Sequence, residues 1–189
     1  MRYFVFFLFI SSVCFGQDNN DSISISHFRE SDPLVKLLLG KKFHDFSAQD
    51  ESGTKISSKD IKGKTALINF WFEACAPCVA EFESLNTLYN KYRSDKDFKF
   101  ISFSFEDDSV IERVRKEYKL SYPIYHLSRD SCKLLTFDLQ GYPSNYILDP
   151  RGRVAFAGIG GPIDKRRVEL LFRYVYEAHI IELLSDKTK

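Results

Sequence analysis

The sequence is poor in cysteine, nearly neutral, and without a long apolar run. Four cysteines stand among 189 residues, at positions 14, 75, 78 and 132. That is too few for a disulfide framework, which needs paired cysteines throughout a short chain. Twenty-seven basic residues against 26 acidic ones leave a net charge of +1. Nothing in that balance points to nucleic acid or to an acidic membrane surface. The apolar run at residues 3–10 falls short of the roughly 20 residues a spanning helix needs. No second Cys-x-x-Cys and no His pair accompanies the first, so a tetrahedral zinc site lacks two ligands. There is no internal repeat and no low-complexity tract. What remains is the composition of a soluble globular domain, 44% hydrophobic and 28% charged, long enough for one full core. The 18 Phe and 10 Tyr read as core and strand filling, because no Lys/Arg pattern interleaves them.

The N-terminus reads as a processing segment. Arg2 gives a positive start, residues 3–10 are apolar, and Ser11-Ser12-Val13-Cys14-Phe15-Gly16 follows. This fits a signal peptide over 1–16, cut after Gly16, with Cys14 and Gly16 as the small residues before the cut. Two other readings stay open: a lipid anchor on Cys14, or a retained apolar anchor. Export places the mature chain in the periplasm or another extracytoplasmic, oxidising space. Cys75, Cys78 and Cys132 then remain, a pair and a single thiol.

Residues 17–40 are expected to form a flexible lead and a short helix. Ile23 and Ile25 alternate with serines there, so a short edge strand is also open. Asp32-Pro33 starts the helix and Gly40 ends it. A single domain is expected over 41–185. Residues 43–48 and 55–57 read as an N-terminal β-hairpin turning at Asp50-Glu51-Ser52-Gly53. A polar turn over 60–64 precedes a buried strand at 66–70. The following helix carries Val79, Phe82, Leu85, Tyr89 and Tyr92 on one face. A strand at 98–105, a helix from Asp107, a strand at 123–127 and a short helix at 131–138 come next. Residues 144–148 and 153–157 form a second hairpin around Asp149-Pro150-Arg151-Gly152. A long helix from Pro162 closes the chain. Strands alternating with helices predict α/β architecture, with a mixed central sheet flanked by helices.

Trp71-Phe72-Glu73-Ala74-Cys75-Ala76-Pro77-Cys78 is the stretch that carries chemistry. It lies where the buried strand ends and the helix begins. A helix start offers free backbone N–H groups and a positive dipole end, and both stabilise a thiolate. Cys-x-x-Cys at such a junction is a redox motif. A static disulfide and a zinc site are the structural alternatives.

Taken together, Gly63-Lys64, Asn69-Phe70-Trp71, Cys75-Ala76-Pro77-Cys78, Glu81, Gly141-Tyr142-Pro143 and Asp149-Pro150-Arg151-Gly152-Arg153 resemble the thioredoxin superfamily. More narrowly, residues 40–180 look like the exported TlpA/ResA-like thiol-disulfide oxidoreductases. The chain departs from that pattern with Ala74 where Trp is usual, Glu83 where Pro is usual, and Ser144 where Thr is usual. These departures bear on the docking face rather than on the chemistry.

The resemblance implies roles. Cys75, at the exposed corner, attacks a substrate disulfide, and Cys78, one turn inward, resolves the mixed disulfide. Asn69 occupies a place where a buried Asp is common; Asn cannot titrate. Glu81 is then the proton acceptor, with a pKa raised by its apolar setting, unless it is an ordinary exposed helix residue. Pro143 is expected to be cis and to turn the Tyr142 main chain toward the cysteines, unless the turn is ordinary. Trp71, Ala76, Pro77, Tyr142 and Pro143 are the expected substrate-binding residues, and Phe72 either docks substrate or packs. Cys132 reads as a buried small hydrophobe, with a third redox thiol or an intermolecular disulfide as alternatives. His126 and His179 read as structural, and His27 and His44 as near-surface.

No cofactor and no metal is implied. The expected partners are protein disulfides, such as apocytochrome c during cytochrome c biogenesis, and a membrane electron-donor protein. The chain is expected to be a monomer without nucleic-acid contacts. A thiol peroxidase of the same fold would want Thr or Ser at position 72 and Pro at 68, which hold Phe and Ile. A copper chaperone would want Cys-x-x-x-Cys. A binding module that keeps the fold without turnover is the non-enzymatic alternative.

Overall fold

The computed structural model describes residues 33–139 and 141–186. The expected signal segment, Cys14, the lead over 17–32 and its edge strand lie outside these residues. Helix α1 (Pro33–Leu38) opens the described chain. Gly40 ends it at φ +76°, a left-handed turn that glycine adopts without steric cost. Helix α1 packs onto the body that follows it. Leu38 is only 3% exposed, and it packs in one cluster with Phe43, Phe46 and Leu148. The Gly40 N–H donates to the Val154 carbonyl at 2.8 Å. Burial of one helix face therefore makes α1 part of the folded body.

Strands β1 (Ser47–Gln49) and β2 (Lys55–Ser57) pair antiparallel, Ala48 opposite Ile56. Asp50 closes their turn by accepting the N–H groups of Ser52 and Thr54 at 3.0 and 2.8 Å. The first strand is shorter than the expected 43–48, because Phe43 and Phe46 leave the ladder to bury their rings. A 3-10 turn, Ser58–Ile61, leads into the expected polar turn, which occupies 62–64, and the Asp60 carboxylate accepts the Ser57 N–H at 2.8 Å.

Every residue of β3 (Thr65–Trp71) is buried, as a central strand requires. Strand β4 (Phe98–Ser104) runs parallel on one side, and β6 (Ser144–Leu148) runs antiparallel on the other. With β5 (Ile124–His126) and β7 (Val154–Ile159), the sheet order is β2-β1-β5-β4-β3-β6-β7. Between the strands lie α2 (Ala76–Tyr92), α3 (Asp108–Glu117) and α4 (Arg129–Leu135). Helix α4 starts two residues earlier than expected, because Ser128 caps it by accepting the Ser131 N–H at 3.1 Å. The last helix starts later than Pro162, because Asp164 caps it through the Arg167 N–H at 2.9 Å. It runs as α5 (Lys165–Leu171), a π-helical turn (Phe172–Tyr176) and α6 (Glu177–Ser185).

Side chains alternate across a strand, so the sheet divides the core in two. Leu67 and Trp71 pack with Phe82, Ile111, Val114, Val168 and Val175, beneath α2, α3 and the C-terminal helices. Ala66, Ile68 and Phe70 pack with Leu38, Cys132 and Leu135, beneath α1 and α4. The result is the expected mixed sheet with helices on both faces. It brings the C-terminal end of β3 and the start of α2 to one corner, where the cysteines sit.

Candidate active site

Cys75 is the N-cap of α2, with extended backbone at φ −91° and ψ 95°. Its Sγ accepts the Cys78 N–H at 3.2 Å. Ala76 opens the helix, and Pro77 occupies the first turn, where a missing N–H costs no helical bond. Cys75 and Cys78 are joined by a disulfide, with their Cα atoms 5.2 Å apart. Reduction frees two sulfurs in unequal settings. Cys75 keeps a backbone N–H aimed at its sulfur and the positive end of α2, so it is the better thiolate. Both cysteines are buried, Cys75 at 5% and Cys78 at 1% exposed, so the expected exposed corner is corrected, but only Cys75 lines the surface groove described below.

Glu81 lies one turn along α2 from Cys78 and is 0% exposed. It is therefore not an exposed helix glutamate. Its partner is Asn145, whose Nδ2 donates to Glu81 Oε2 at 2.8 Å. Behind Asn145 runs a polar row that the strand register builds. Ser102 on β4, Asn69 on β3 and Asn145 on β6 stand side by side in the ladders. Ser102 Oγ donates to Asn69 Oδ1 at 3.0 Å, and Asn69 Nδ2 donates to Asn145 Oδ1 at 2.8 Å. Every donor in the row points toward Glu81, and all three residues are buried. Burial pushes the Glu81 carboxyl up to about 8, and the Asn145 bond opposes that rise. Oε1 accepts no hydrogen bond among the described residues. A Cβ on Gly161 would lie 2.9 Å from it.

The row continues to Gly158 on β7, which pairs with Asn145. Glycine leaves that place to another group. The Tyr176 hydroxyl comes in from the π-helical turn and lies against the Asn145 amide. A Cβ on Gly158 would stand 2.1 Å from that hydroxyl. Gly158→Ala is therefore expected to push Tyr176 off Asn145 and to cost about 1–3 kcal/mol, as overpacking does. The urea midpoint checks this, and an unchanged midpoint would show that the ring gives way freely.

The Tyr142–Pro143 peptide bond is cis. Pro143 is buried, and the sheet pairing of β6 begins only at Ser144, so the Tyr142 main chain stands outside the ladder. Beside it lies a groove of about 650 Å³ whose lining includes Cys75, Ala76, Pro77 and Tyr142. Trp71 does not reach this surface. It is 0% exposed and meets the Phe82 ring edge-on at 5.3 Å, so its expected contact with substrate is corrected to a place in the core. Phe72 takes the surface place instead. It stacks on Phe105 at 5.6 Å and meets Tyr142 edge-on at 5.2 Å, and all three rings line the groove.

Arg129, Phe105 and Asn145 are site residues that the sequence reading did not single out. Arg129 and Phe105 belong to elements separated from the cysteines, and only the fold brings them near. Cys132 is free and 1% exposed. Burial pushes its thiol up to about 12, which makes it a poor nucleophile. The structural reading of His179 agrees with its place: Nδ1 bonds the Val175 carbonyl at 2.8 Å, and the ring packs on Phe156 at 4.6 Å. His44 and His126 are exposed.

The sequence profile of the AhpC/TSA family matches residues 39–157. A thiol-disulfide oxidoreductase ResA from Bacillus cereus is 30% identical over 126 residues, 66% of this chain and 72% of that protein. The thiol-disulfide oxidoreductase from Bacteroides fragilis superposes with a TM-score of 0.58 at 26% identity, over 73% of this chain and 99% of that one. A thiol:disulfide interchange protein from Bacteroides sp. gives a TM-score of 0.63 at 24% identity, over 79% and 93%, a likeness of fold alone. With its thioredoxin-like sheet and its Cys75–Cys78 pair, the chain belongs to the AhpC/TSA family, as a thiol-disulfide oxidoreductase of the ResA type.

Proposed function

We propose that this chain reduces disulfides of specific proteins outside the cytoplasm. The observation that carries this reading is the inequality of its two sulfurs: Cys75 is the helix cap on a groove, and Cys78 is buried beside Glu81. In the reduced protein the Cys75 thiolate attacks one sulfur of a substrate disulfide. The substrate S–S bond breaks, and the leaving sulfur departs as a thiolate that takes a proton. Glu81 accepts the Cys78 proton, and Cys78 attacks Cys75. The mixed disulfide breaks, and the second substrate sulfur leaves. Two electrons have passed from protein to substrate, and the protein holds its Cys75–Cys78 disulfide. Tyr142 and Pro143 hold the substrate main chain across the groove, with Ala76 and Pro77 as its opposite edge.

Supporting the location is the apolar run at residues 3–10 followed by small residues, the pattern of a cleaved signal. In an oxidising space the disulfide form accumulates, so a membrane electron donor must restore the dithiol. Apocytochrome c before haem attachment is the substrate class that the resemblance to ResA suggests, and the protein acts as a monomer. Intact mass of the mature protein checks the N-terminus, and a diacylglyceryl group on Cys14 would replace cleavage after Gly16.

The decisive experiment is reduction of a protein disulfide such as insulin with dithiothreitol as donor. The parent protein is expected to turn over, and Cys75→Ser to fall to background. Equal rates for both would leave only a binding module. The couple's potential fixes the direction: a value near thioredoxin's roughly −270 mV supports a reductase, and one near DsbA's roughly −120 mV overturns it. A peroxidase is disfavoured by the apolar Ile68 and Phe72, and hydrogen peroxide consumption tests it.

A further inference from the structure

We propose that the groove beside Cys75 selects disulfides flanked by acidic residues, with Arg129 as the residue that reads the carboxylate. The proposal rests on the reductase reading above and names the substrate class of that same site. Arg129 and Lys133 are four residues apart on α4, so they share one helix face, and both line the groove that contains Cys75. Among the described residues that line it, none is a carboxylate.

The two cations are held differently. The Arg129 guanidinium lies over the Phe105 ring, 3.7 Å from its centroid. Phe105 is in turn fixed by stacking on Phe72 at 5.6 Å and by the edge of Tyr142 at 5.8 Å. Stacking orders a guanidinium by its flat face and leaves its N–H fork open at the edge. Among the described residues Arg129 makes no ion pair, although it is exposed. Lys133 stands 3.7 Å from Asp138, with both side chains largely exposed, so it adds loosely held positive charge rather than a second fixed fork.

Glu73 and Glu106 follow the groove residues Phe72 and Phe105 in the chain but are not among the residues that line the groove. Glu73 pairs with Arg113, and Glu106 accepts the Glu73 N–H at 3.0 Å. A polypeptide lying in the groove beside Cys75 therefore meets an aromatic wall and an exposed arginine, and neither carboxylate lines its path among the described residues. That field favours a chain whose acidic side chain falls at Arg129 and whose apolar neighbour rests on Phe72 and Tyr142. A free guanidinium fork binds a carboxylate through two parallel N–H bonds, which also fixes direction.

The test uses the reduced full chain and three synthetic peptide disulfides that differ only beside the cysteine: two Asp, two Ser or two Lys. Single-turnover rates are read by quenched flow. The acidic peptide is expected to react about tenfold faster than the neutral one at low salt, with the difference shrinking at high salt as screening predicts. Arg129→Gln is expected to bring the acidic-to-neutral ratio to about one. Arg129→Glu is expected to reverse the order so that the Lys peptide is fastest, an outcome that a mere loss of folding cannot produce. Equal rates for all three peptides with the parent protein, or an unchanged ratio in both variants, would overturn the proposal while leaving the reductase reading intact. Failure to reduce any of the three would instead overturn the reductase reading itself.

Discussion

Glu81→Gln is expected to be more stable than the parent protein at pH 8 and to lose most of its turnover there. Both effects have one cause. Burial raises the Glu81 carboxyl from 4.5 to about 8, against the opposing pull of the Asn145 bond. The unfolded chain releases that proton near pH 4.5, and the folded chain holds it until about pH 8. Between those values the folded form binds the extra proton, so stability falls as pH rises. The contribution is complete below pH 4.5 and is lost as pH climbs through 8. Its size is on the order of 5 kcal/mol, from about 1.4 kcal/mol for each unit of separation. Glutamine keeps an oxygen for the Asn145 N–H and carries no charge to bury. Urea midpoints of the two disulfide forms should therefore coincide near pH 5 and part by pH 8, with the variant ahead. Parallel curves would mean that Glu81 is already ionised in the folded state.

The same proton makes the residue useful. A carboxyl that ionises near 8 is matched to a thiol, and it can take the Cys78 proton at the moment of resolution. General-base assistance of this kind is worth roughly 10²–10⁴ in rate. Glu81→Gln should slow release of the second substrate sulfur by about a hundredfold and flatten its rise between pH 7 and 9. Asn145→Ala should move the profile instead of flattening it. It removes the N–H that favours the carboxylate at 2.8 Å, so the rise shifts to higher pH. A flat profile in Asn145→Ala, or a sloping one in Glu81→Gln, would break the assignment.

The extent to which the sequence announced this site depends on sequence distance. Cys75, Pro77 and Cys78 are neighbours, and the strand-to-helix junction that gives them their setting is local. Their positions could be read because period and capping are local signals. The second hairpin followed from Asp149-Pro150-Arg151-Gly152 for the same reason, and so did Gly141-Tyr142-Pro143 as the segment before its first strand. Asn145 was different. It lies 64 residues from Glu81 and 76 from Asn69. Nothing along the chain says that an Asn within an apolar strand will stand opposite another one. That fact belongs to the register of β3 against β6, which core packing sets. Trp71 misled for a related reason. It ends the strand before the cysteines, which suggests exposure, but its parity turns it inward onto Phe82. The same parity turns Phe72 toward the groove. Helix starts were misplaced where a side chain rather than a pattern decides them, at Ser128 and Asp164.

Cys78→Ser should convert the protein into a trap. The substitution removes the resolving sulfur and leaves the backbone of α2 in place. The N–H of residue 78 still points at Cys75 Sγ, as it does at 3.2 Å in the parent, so the attacking thiolate keeps its stabilisation. Attack on a protein disulfide then proceeds, and the mixed disulfide has no internal route onward. A neighbouring thiol acts at an effective concentration on the order of 10⁵ M or more when well oriented. Millimolar dithiothreitol replaces it poorly, so the adduct should persist for hours rather than less than a second. Cys132 offers no rescue, since it is buried among apolar side chains and its thiol is pushed up to about 12. Non-reducing electrophoresis and intact mass should show one substrate chain per protein, attached at Cys75. Cys75→Ser should form no such adduct, because Cys78 is 1% exposed and lies beneath the groove floor. Equal trapping by the two variants would reverse the assignment of attacker and resolver. Trapping by Cys78→Ser alone would tie the order of events to the difference between the sulfurs, that Cys75 caps the helix and lines the groove and Cys78 does neither.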